Sequence, residues 1–292
     1  MKILITGCNG FLGYNLIKIL GSSDYKLIGT SLTNNKTNAG FNFVQCDLLN
    51  LKASSLLVKS CDPDIIINTI ALTDVDFCEK HQEEAYKINV ITTANLVKSI
   101  SREKTKLIHI STDQLFDGLR SFYSEEDTTR PPNIYGKTKL MAEEVCFRSH
   151  HNTVVIRTNF FGFSPRNHKP TFAEWILNSL KKRTEINMFN DLFFTPLEVS
   201  ILVKAIEQVF LSEYQGVLNI AGNARISKYD FGIKLAEKCH LDPSLINSIS
   251  MNEFSFNAPR QPDMSLSIKK YNKLFSHKLP NLNESLDAFV NQ

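Results

Sequence analysis

The chain has 292 residues, of which 42% are hydrophobic and 22% are charged, and this globular composition excludes a disordered or fibrous protein. Its formal net charge of +3 is small and its lysines and arginines are scattered, so we expect neither a nucleic-acid nor a membrane partner. The six cysteines form no C-x-x-C pair and the seven histidines show no metal-ligand spacing, which indicates reduced thiols, no metal site and a cytoplasmic protein.

Apolar runs rich in Ile and Val alternate with segments of helical periodicity through the first half of the chain, which predicts a parallel sheet covered on both faces by helices. The predicted strands are 2–6, 26–30, 42–45, 64–69, 106–111 and 153–158, and a further strand at 216–221 follows later. The predicted helices are 10–20, 52–60, 82–101, 133–148 and 197–211.

This order of elements predicts an α/β fold of the Rossmann type, a doubly wound parallel sheet with a smaller, discontinuous α/β lobe that binds substrate. We expect residues 1–160 to form the dinucleotide-binding domain, to which residues 195–222 return. Residues 161–292 are expected to form most of the substrate lobe. The first strand begins at the second residue without a preceding signal-peptide pattern, so we expect an unprocessed chain.

A glycine-rich turn, Gly7-Cys-Asn-Gly10-Phe-Leu-Gly13, joins the first predicted strand to the first predicted helix. In this context glycines let the backbone approach a pyrophosphate, and the helix N-terminus attracts its charge. No Lys-Ser/Thr pair follows the turn, which excludes a nucleoside-triphosphate P-loop. The predicted cofactor contacts of the turn are Gly7, Gly10, Phe11, Leu12 and Gly13.

The end of the second predicted strand carries no acidic residue to bind an adenosine ribose and reject a 2′-phosphate. Thr30, Ser31 and the nearby Lys36 are found there instead. We therefore predict that Thr30 and Ser31 bind cofactor and that NADP(H) is favoured, with NAD(H) possible. The alternative is a polar loop in which Lys36 is simply solvated.

Tyr135 and Lys139 are four residues apart on a predicted helix, which places them on one helix face. Reduction of a ketone needs a hydroxyl that protonates the developing alkoxide, and a neighbouring cation lowers the pKa of that hydroxyl. Thr112 follows the fifth predicted strand, where ligands of doubly wound sheets bind. We predict Tyr135 as the acid, Lys139 as its partner and a cofactor ligand, and Thr112, or alternatively Ser111, as the donor to the carbonyl oxygen.

The spacing G-x-x-G-x-x-G and the order Thr112, Tyr135, Lys139 resemble the extended short-chain dehydrogenases/reductases. Longer stretches resemble one branch of that superfamily, the dTDP-4-dehydrorhamnose reductase-like proteins. The stretches that carry this resemblance are 67–79, 89–90, 111–118, 132–140, 157–158 and 258–263.

The resemblance implies roles for residues that spacing alone does not identify. Asp47 and Leu48 match an adenine-binding step, although Asp47 is nearly as well interpreted as a helix cap. Ile70, Ala71 and Leu72 are expected to line the cofactor groove, and Asn89 corresponds to the helix asparagine of the superfamily. Asp113, Gln114 and Arg260 are expected near the sugar nucleotide.

Three departures from the branch affect the expected substrate. Gln114 stands where an aromatic residue is common, Gln261 follows Arg260 in place of proline, and the stretch 191–197 differs from the pattern Asp-Gln-x-Gly-x-Pro-Thr. Gln114 also stands where the related 4,6-dehydratases have a glutamate, which disfavours dehydration.

The resemblance implies an NAD(P)H-dependent oxidoreductase that reduces the C4 keto group of a nucleotide-linked 4-keto-6-deoxy sugar, in deoxysugar and cell-surface polysaccharide biosynthesis. Two alternatives remain open from the residues: a sugar-nucleotide epimerase that retains NAD, and a non-catalytic NADP-binding regulatory subunit. In many relatives the helices corresponding to 82–101 and 133–148 pair in a dimer, so a homodimer is possible.

Overall fold

A computed structural model of the protein describes residues 1–33, 41–165, 169–276 and 278–291. In chain order the strands are β1 (Lys2–Thr6), β2 (Lys26–Ser31), β3 (Asn42–Gln45), β4 (Ile65–Asn68), β5 (Lys106–Ile110), β6 (Thr153–Thr158), β7 (Phe160–Phe161), β8 (Ile186–Phe189), β9 (Phe193–Phe194), β10 (Leu197–Glu198), β11 (Gly216–Ile220), β12 (Ile226–Ser227) and β13 (Ile246–Ile249).

The α-helices are α1 (Phe11–Leu20), α2 (Leu51–Cys61), α3 (Val75–Lys80), α4 (Gln82–Tyr86), α5 (Thr92–Lys98), α6 (Ile134–Ser149), α7 (Phe172–Lys181), α8 (Val199–Leu211), α9 (Lys228–Lys238), α10 (Lys269–Leu274) and α11 (Leu282–Val290). A π-helical turn, Lys87–Ile91, joins α4 to α5, and short 3₁₀ turns cover Pro243–Leu245 and Met251–Glu253. None of the helices in the described part of the chain is both long enough and apolar enough to cross a membrane.

Seven strands form a parallel sheet in the order β11-β6-β5-β4-β1-β2-β3. The order runs in opposite directions on the two sides of the neighbouring strands β1 and β4. In doubly wound sheets such a reversal opens a cleft at the carboxyl ends of the strands. The predicted fold class is confirmed.

The apolar runs of the sequence become strands because helices cover both faces of the sheet. On one face Ile3 and Ile5 pack with residues of α1 and α8, and on the other Leu4 and Ile66 pack with residues of α2, α5 and α6. A second core lies among α7, β8, α9 and α11.

The predicted helix and strand boundaries differ from the observed ones mostly by one or two residues. The predicted helix 82–101 is the exception, because the π-helical turn Lys87–Ile91 divides it. Helix α3 was not predicted, since its six residues are too few to establish a helical period.

Candidate active site

A cleft of about 430 Å³ lies at the carboxyl ends of the central strands. Its lining includes the glycine turn and helix α6, which are far apart in the sequence. The predicted site residues in its lining are Gly10, Phe11, Leu12, Ala71, Ser111, Thr112, Asp113, Gln114, Tyr135 and Lys139.

The glycine turn closes tightly between β1 and α1. Gly7 has a positive φ of 67°, which side chains other than glycine rarely adopt. A Cβ atom on Gly13 would lie 2.3 Å from the Gly7 carbonyl oxygen, so only glycine allows this approach. Gly10 begins α1 without a side-chain cap, and the first helical turn carries no acidic residue. The N-terminal N–H groups of α1 therefore face the cleft uncapped, as a bound anion requires.

The ends of β2 and β3 hold the other predicted cofactor residues. Thr30 is buried, and its Oγ1 has no hydrogen-bond partner among the described residues; Ser31 is half-buried. The expected Lys36 lies outside the described residues. Asp47 is exposed and accepts the Leu49 N–H at 2.9 Å.

The alternative interpretation of Asp47 as the cap of α2 is wrong. The cap is Asn50, whose Oδ1 accepts the Ala53 N–H at 3.1 Å. Leu48 is buried, and its carbonyl oxygen accepts a hydrogen bond from Asn95 at 2.9 Å.

The loop after β4 is held by Asn89 on the π-helical turn. Asn89 accepts the Leu72 N–H at 2.7 Å and donates to the Leu72 carbonyl at 3.2 Å. It also donates to Thr138 Oγ1 on α6 at 2.9 Å. Asn89 therefore ties the loop that contains Ile70 and Ala71 to the helix of the predicted catalytic pair.

Tyr135 and Lys139 lie on the face of α6 that closes the cleft. Asn133 caps this helix, accepting the Gly136 N–H at 2.9 Å, so Tyr135 stands in its first turn. Both side chains are buried, and Lys139 Nζ donates to the Ile110 carbonyl at 2.7 Å. Thr112 lines the same cleft, where its side chain interacts with Tyr135. The structure thus places the three predicted catalytic side chains together.

The acid–base properties of the pair differ from the expectation. Burial raises the pKa of Tyr135 above its usual value, and the neighbouring Thr112 side chain partly counteracts this rise. Burial lowers the pKa of Lys139 to about 8. The predicted lowering of the Tyr135 pKa by Lys139 is therefore wrong for the protein alone. A protonated phenol is nevertheless the form that an acid in ketone reduction needs.

Asp113 and Gln114 line the same cleft as Tyr135 and Lys139. Asp113 is buried; it accepts hydrogen bonds from Asn159 Nδ2 at 2.6 Å and from Thr112 Oγ1 at 3.1 Å. Burial raises its pKa to about 6, against the opposing effects of Asn159 and Lys228. The Gln114 N–H donates to Thr112 Oγ1 at 3.2 Å. Hydrogen bonds to Asp113 and from Gln114 thus fix the Thr112 side chain.

Lys228 is a candidate that sequence reasoning missed. Its Nζ lies 3.4 Å from the ring centroid of Phe194 and 4.5 Å from that of Phe172, both in cation–π geometry. Within the described ranges its Nζ has no oxygen acceptor at hydrogen-bond distance. Burial lowers its pKa to about 8, whereas the carboxylate of Asp113 acts in the opposite direction. No local motif marks Lys228, because tertiary contacts alone bring α9 towards Asp113.

Arg260 lies outside the lining of the cleft. Its Nη2 donates to Asp76 Oδ2 on α3 at 2.7 Å, and its guanidinium lies over the ring of Phe256 at 5.3 Å. Asp76 also accepts the Ala258 N–H at 3.0 Å, so α3 fixes the loop on both sides of Pro259. Contact between Arg260 and a sugar nucleotide stays a prediction.

The family model described as the RmlD substrate binding domain matches residues 1–292. The chain belongs to this family. Among curated members, dTDP-4-dehydrorhamnose reductase of Aggregatibacter actinomycetemcomitans is 27% identical over 288 residues, which cover 94% of this chain and 93% of that protein. The predicted resemblance is confirmed.

Solved structures of the same kind of reductase superimpose along the whole chain. A dTDP-4-dehydrorhamnose reductase from Clostridium acetobutylicum has a TM-score of 0.89 at 27% identity and covers 100% of this chain and 99% of its own. The enzyme from Bacillus anthracis, in complex with NADP, has a TM-score of 0.85 at 25% identity. The match covers 99% of this chain and 98% of that enzyme. The family fold is therefore present from end to end.

Proposed function

We propose that the protein reduces the C4 keto group of a nucleotide-linked 4-keto-6-deoxy sugar with NADPH, as a step of deoxysugar biosynthesis. The observation that carries the proposal is the meeting of Thr112, Tyr135 and Lys139 in one cleft with the glycine turn. Full-length membership of a family that contains dTDP-4-dehydrorhamnose reductases supports the choice of substrate class. In this proposal residues 1–160, with 195–222, bind the cofactor and residues 161–292 contribute most of the substrate lobe.

The cleft fits a bound dinucleotide. The uncapped start of α1 offers backbone donors to a pyrophosphate, and Gly13 permits the close approach of the turn. The buried Thr30 hydroxyl, which lacks a partner in the described structure, stands at the end of β2 where the adenosine end would bind. NADP in the Bacillus anthracis relative supports NADPH as the preferred form, and NADH remains possible. When bound, the cofactor supplies a hydride to the carbonyl carbon.

The chain itself supplies the proton and orients the carbonyl. In the complex Thr112 turns its single hydroxyl proton from Asp113 to the carbonyl oxygen. Tyr135 transfers its phenolic proton to that oxygen as negative charge develops there. Lys139 holds the nicotinamide ribose while it remains hydrogen-bonded to Ile110. Gln114 cannot act as the second carboxylate that dehydration requires, so the site favours reduction over dehydration.

On the substrate side, we propose that Lys228 contacts the sugar nucleotide opposite Asp113. A cation that has aromatic faces beneath it and no oxygen acceptor in the described structure is suited to bind an oxygen-rich ligand. Lys228→Gln is expected to raise the KM for the sugar nucleotide about 10- to 100-fold, the loss of one charge-assisted hydrogen bond. NADPH affinity should be unchanged. Steady-state kinetics and NADPH fluorescence titration measure the two quantities.

Lys234→Gln is the matched control for this experiment. Lys234 is an exposed lysine on the same helix, α9, and its replacement should leave KM unchanged. An equal rise of KM in both variants would show that net charge on α9, rather than the Lys228 contact, attracts the substrate. An unchanged KM in Lys228→Gln would remove Lys228 from the site.

The proposed activity is tested by following NADPH and NADH absorbance as the purified protein meets 4-keto-6-deoxy sugar nucleotides made in place by a dehydratase. We expect oxidation of NADPH that exceeds that of NADH. An epimerase would instead interconvert hexose nucleotides without net consumption of cofactor. A regulatory subunit would bind NADPH without turnover, and either result would overturn the proposal.

A further inference from the structure

His109 is a completely buried histidine that stands directly behind Lys139 on β5. Its Nδ1 lies 3.1 Å from Asn68 Nδ2 on β4, and its Nε2 lies 3.5 Å from Lys139 Nζ. The sequence suggests only a hydrogen-bonded core residue at this position. The structure places its imidazole between a fixed amide and the ammonium of the site.

The orientation of the Asn68 amide follows from its other partners. Asn68 Oδ1 receives the Ile70 backbone N–H at 3.4 Å and the Thr6 hydroxyl at 2.7 Å. A backbone N–H can only donate, so the atom on that side must be the carbonyl oxygen. Nδ2 therefore faces His109, and it also donates to Thr93 Oγ1 at 3.2 Å.

This orientation fixes the tautomer of His109. Because Asn68 donates to Nδ1, that nitrogen must be unprotonated, and a neutral imidazole then carries its proton on Nε2. Burial, reinforced by the charge of Lys139, holds the pKa of His109 well below its usual range, so the ring stays neutral. The N–H of Nε2 consequently points at Lys139 Nζ.

We propose that His109 is a positioning residue for Lys139. The Nε2–H of His109 turns the protons of the ammonium away from the imidazole, towards the Ile110 carbonyl at the end of β5 and towards the cleft. An ammonium has three protons and no lone pair, so it cannot accept a hydrogen bond from Nε2. A neutral amine can accept one. His109 therefore favours the neutral form of Lys139 while it orients the charged form, which deepens the proposed function and rests on it.

Other groups around Lys139 act in the opposite direction. Glu143 and Cys146 on α6 favour the ammonium, and Glu143 is itself paired with Arg157 on β6 at 2.7 Å. Tyr135 and Asp113 face Lys139 from the cleft, whose lining all three residues share. From β5 the titratable group that faces Lys139 is His109, and removal of its Nε2–H should raise the proton affinity of Lys139.

The tautomer is read directly from the long-range ¹H–¹⁵N NMR spectrum of the histidines in the wild-type protein. The His109 signals are identified by their loss in His109→Asn. We expect a protonated Nε2 and an unprotonated Nδ1, with no titration between about pH 5.5 and 9. A proton on Nδ1, or on both nitrogens, would overturn the proposal. This spectrum requires no turnover, so its result is independent of whether the protein is a reductase.

The effect on Lys139 is read from the pH dependence of NADPH binding. His109→Asn keeps an amide oxygen that can accept from Asn68 but has no group that reaches Lys139. We expect the alkaline weakening of NADPH binding to move up by about one pH unit, a tenfold rise in the proton affinity of Lys139. No shift, or a downward shift, in the folded variant contradicts the proposal. If the variant does not fold, the wild-type spectrum decides, with the His109 signals assigned by elimination from folded variants of the other six histidines.

His150→Asn is the matched control. His150 is also buried, but its Nε2 contacts the Thr105 carbonyl at 2.6 Å, beyond the far end of α6. Its replacement should leave the alkaline limb of NADPH binding in place. A shift of equal size in both variants would assign the effect to general loosening of the sheet and overturn the specific role of His109.

Discussion

Tyr135→Phe is expected to lower kcat about 10²- to 10⁴-fold, the usual contribution of a positioned general acid. The phenolic oxygen is the only part removed, and the ring keeps its buried position in the first turn of α6. NADPH affinity should therefore change less than about threefold, since the ammonium of Lys139 and the start of α1 remain. Single-turnover absorbance of NADPH and fluorescence titration separate the two effects.

Tyr25→Phe is the control for this variant. Tyr25 donates to Glu207 at 2.8 Å on the far side of the sheet and lies outside the cleft. Tyr25→Phe should lower the free energy of unfolding and leave kcat unchanged. A Tyr135→Phe enzyme that retains more than about a tenth of wild-type kcat would mean that another group supplies the proton.

Lys139→Met has the second large expected effect. Methionine is close to lysine in volume and shape, so the fold should persist, but the site loses its buried cation and the Ile110 carbonyl loses its donor. We expect kcat/KM to fall at least about 100-fold together with weaker NADPH binding. The measurements are steady-state kinetics and NADPH titration, with circular dichroism to confirm folding.

Lys106→Met provides the matched comparison for Lys139→Met. Lys106 is another buried lysine, on β5, whose Nζ donates to the Val209 carbonyl at 3.0 Å away from the cleft. Its replacement should weaken the contact between β5 and the end of α8 without a comparable loss of kcat/KM. If both variants lose activity equally, the loss reflects the removal of a buried lysine from the fold in general, and Lys139 has no special role in catalysis.

The sequence predicts the central sheet because that part of the fold depends on local patterns. Each buried strand is a short apolar run, and the glycine turn combines a strand, three glycines and a helix in one stretch. The interruption of the helix 82–101 by a π-helical turn was missed, because the turn serves a tertiary purpose. It presents Asn89 to the backbone of Leu72.

Some residues of the candidate site are likewise predicted by local patterns, and others are not. Thr112, Tyr135 and Lys139 have recognisable positions at a strand end and on one helix face, and the structure brings them together. Lys228 and Asn159 carry no such signal, since only the packing of distant segments places them near Asp113. The sequence also does not predict the raised pKa of Tyr135. The spacing of Tyr135 and Lys139 indicates a neighbouring cation and a lowered pKa, but burial, which the spacing does not show, has the larger effect.

The central claim is most directly tested by deuterium transfer. The protein would be incubated with NADPH that carries deuterium at both hydrogen positions of C4 of the nicotinamide, together with a 4-keto-6-deoxy sugar nucleotide. The product would be examined by mass spectrometry and NMR. We predict one deuterium per product molecule, bound to C4 of the sugar, and at least about 100-fold less labelled product with Tyr135→Phe in the same time. A product without deuterium at C4, or deuterium at another carbon, would contradict C4 reduction by this cleft.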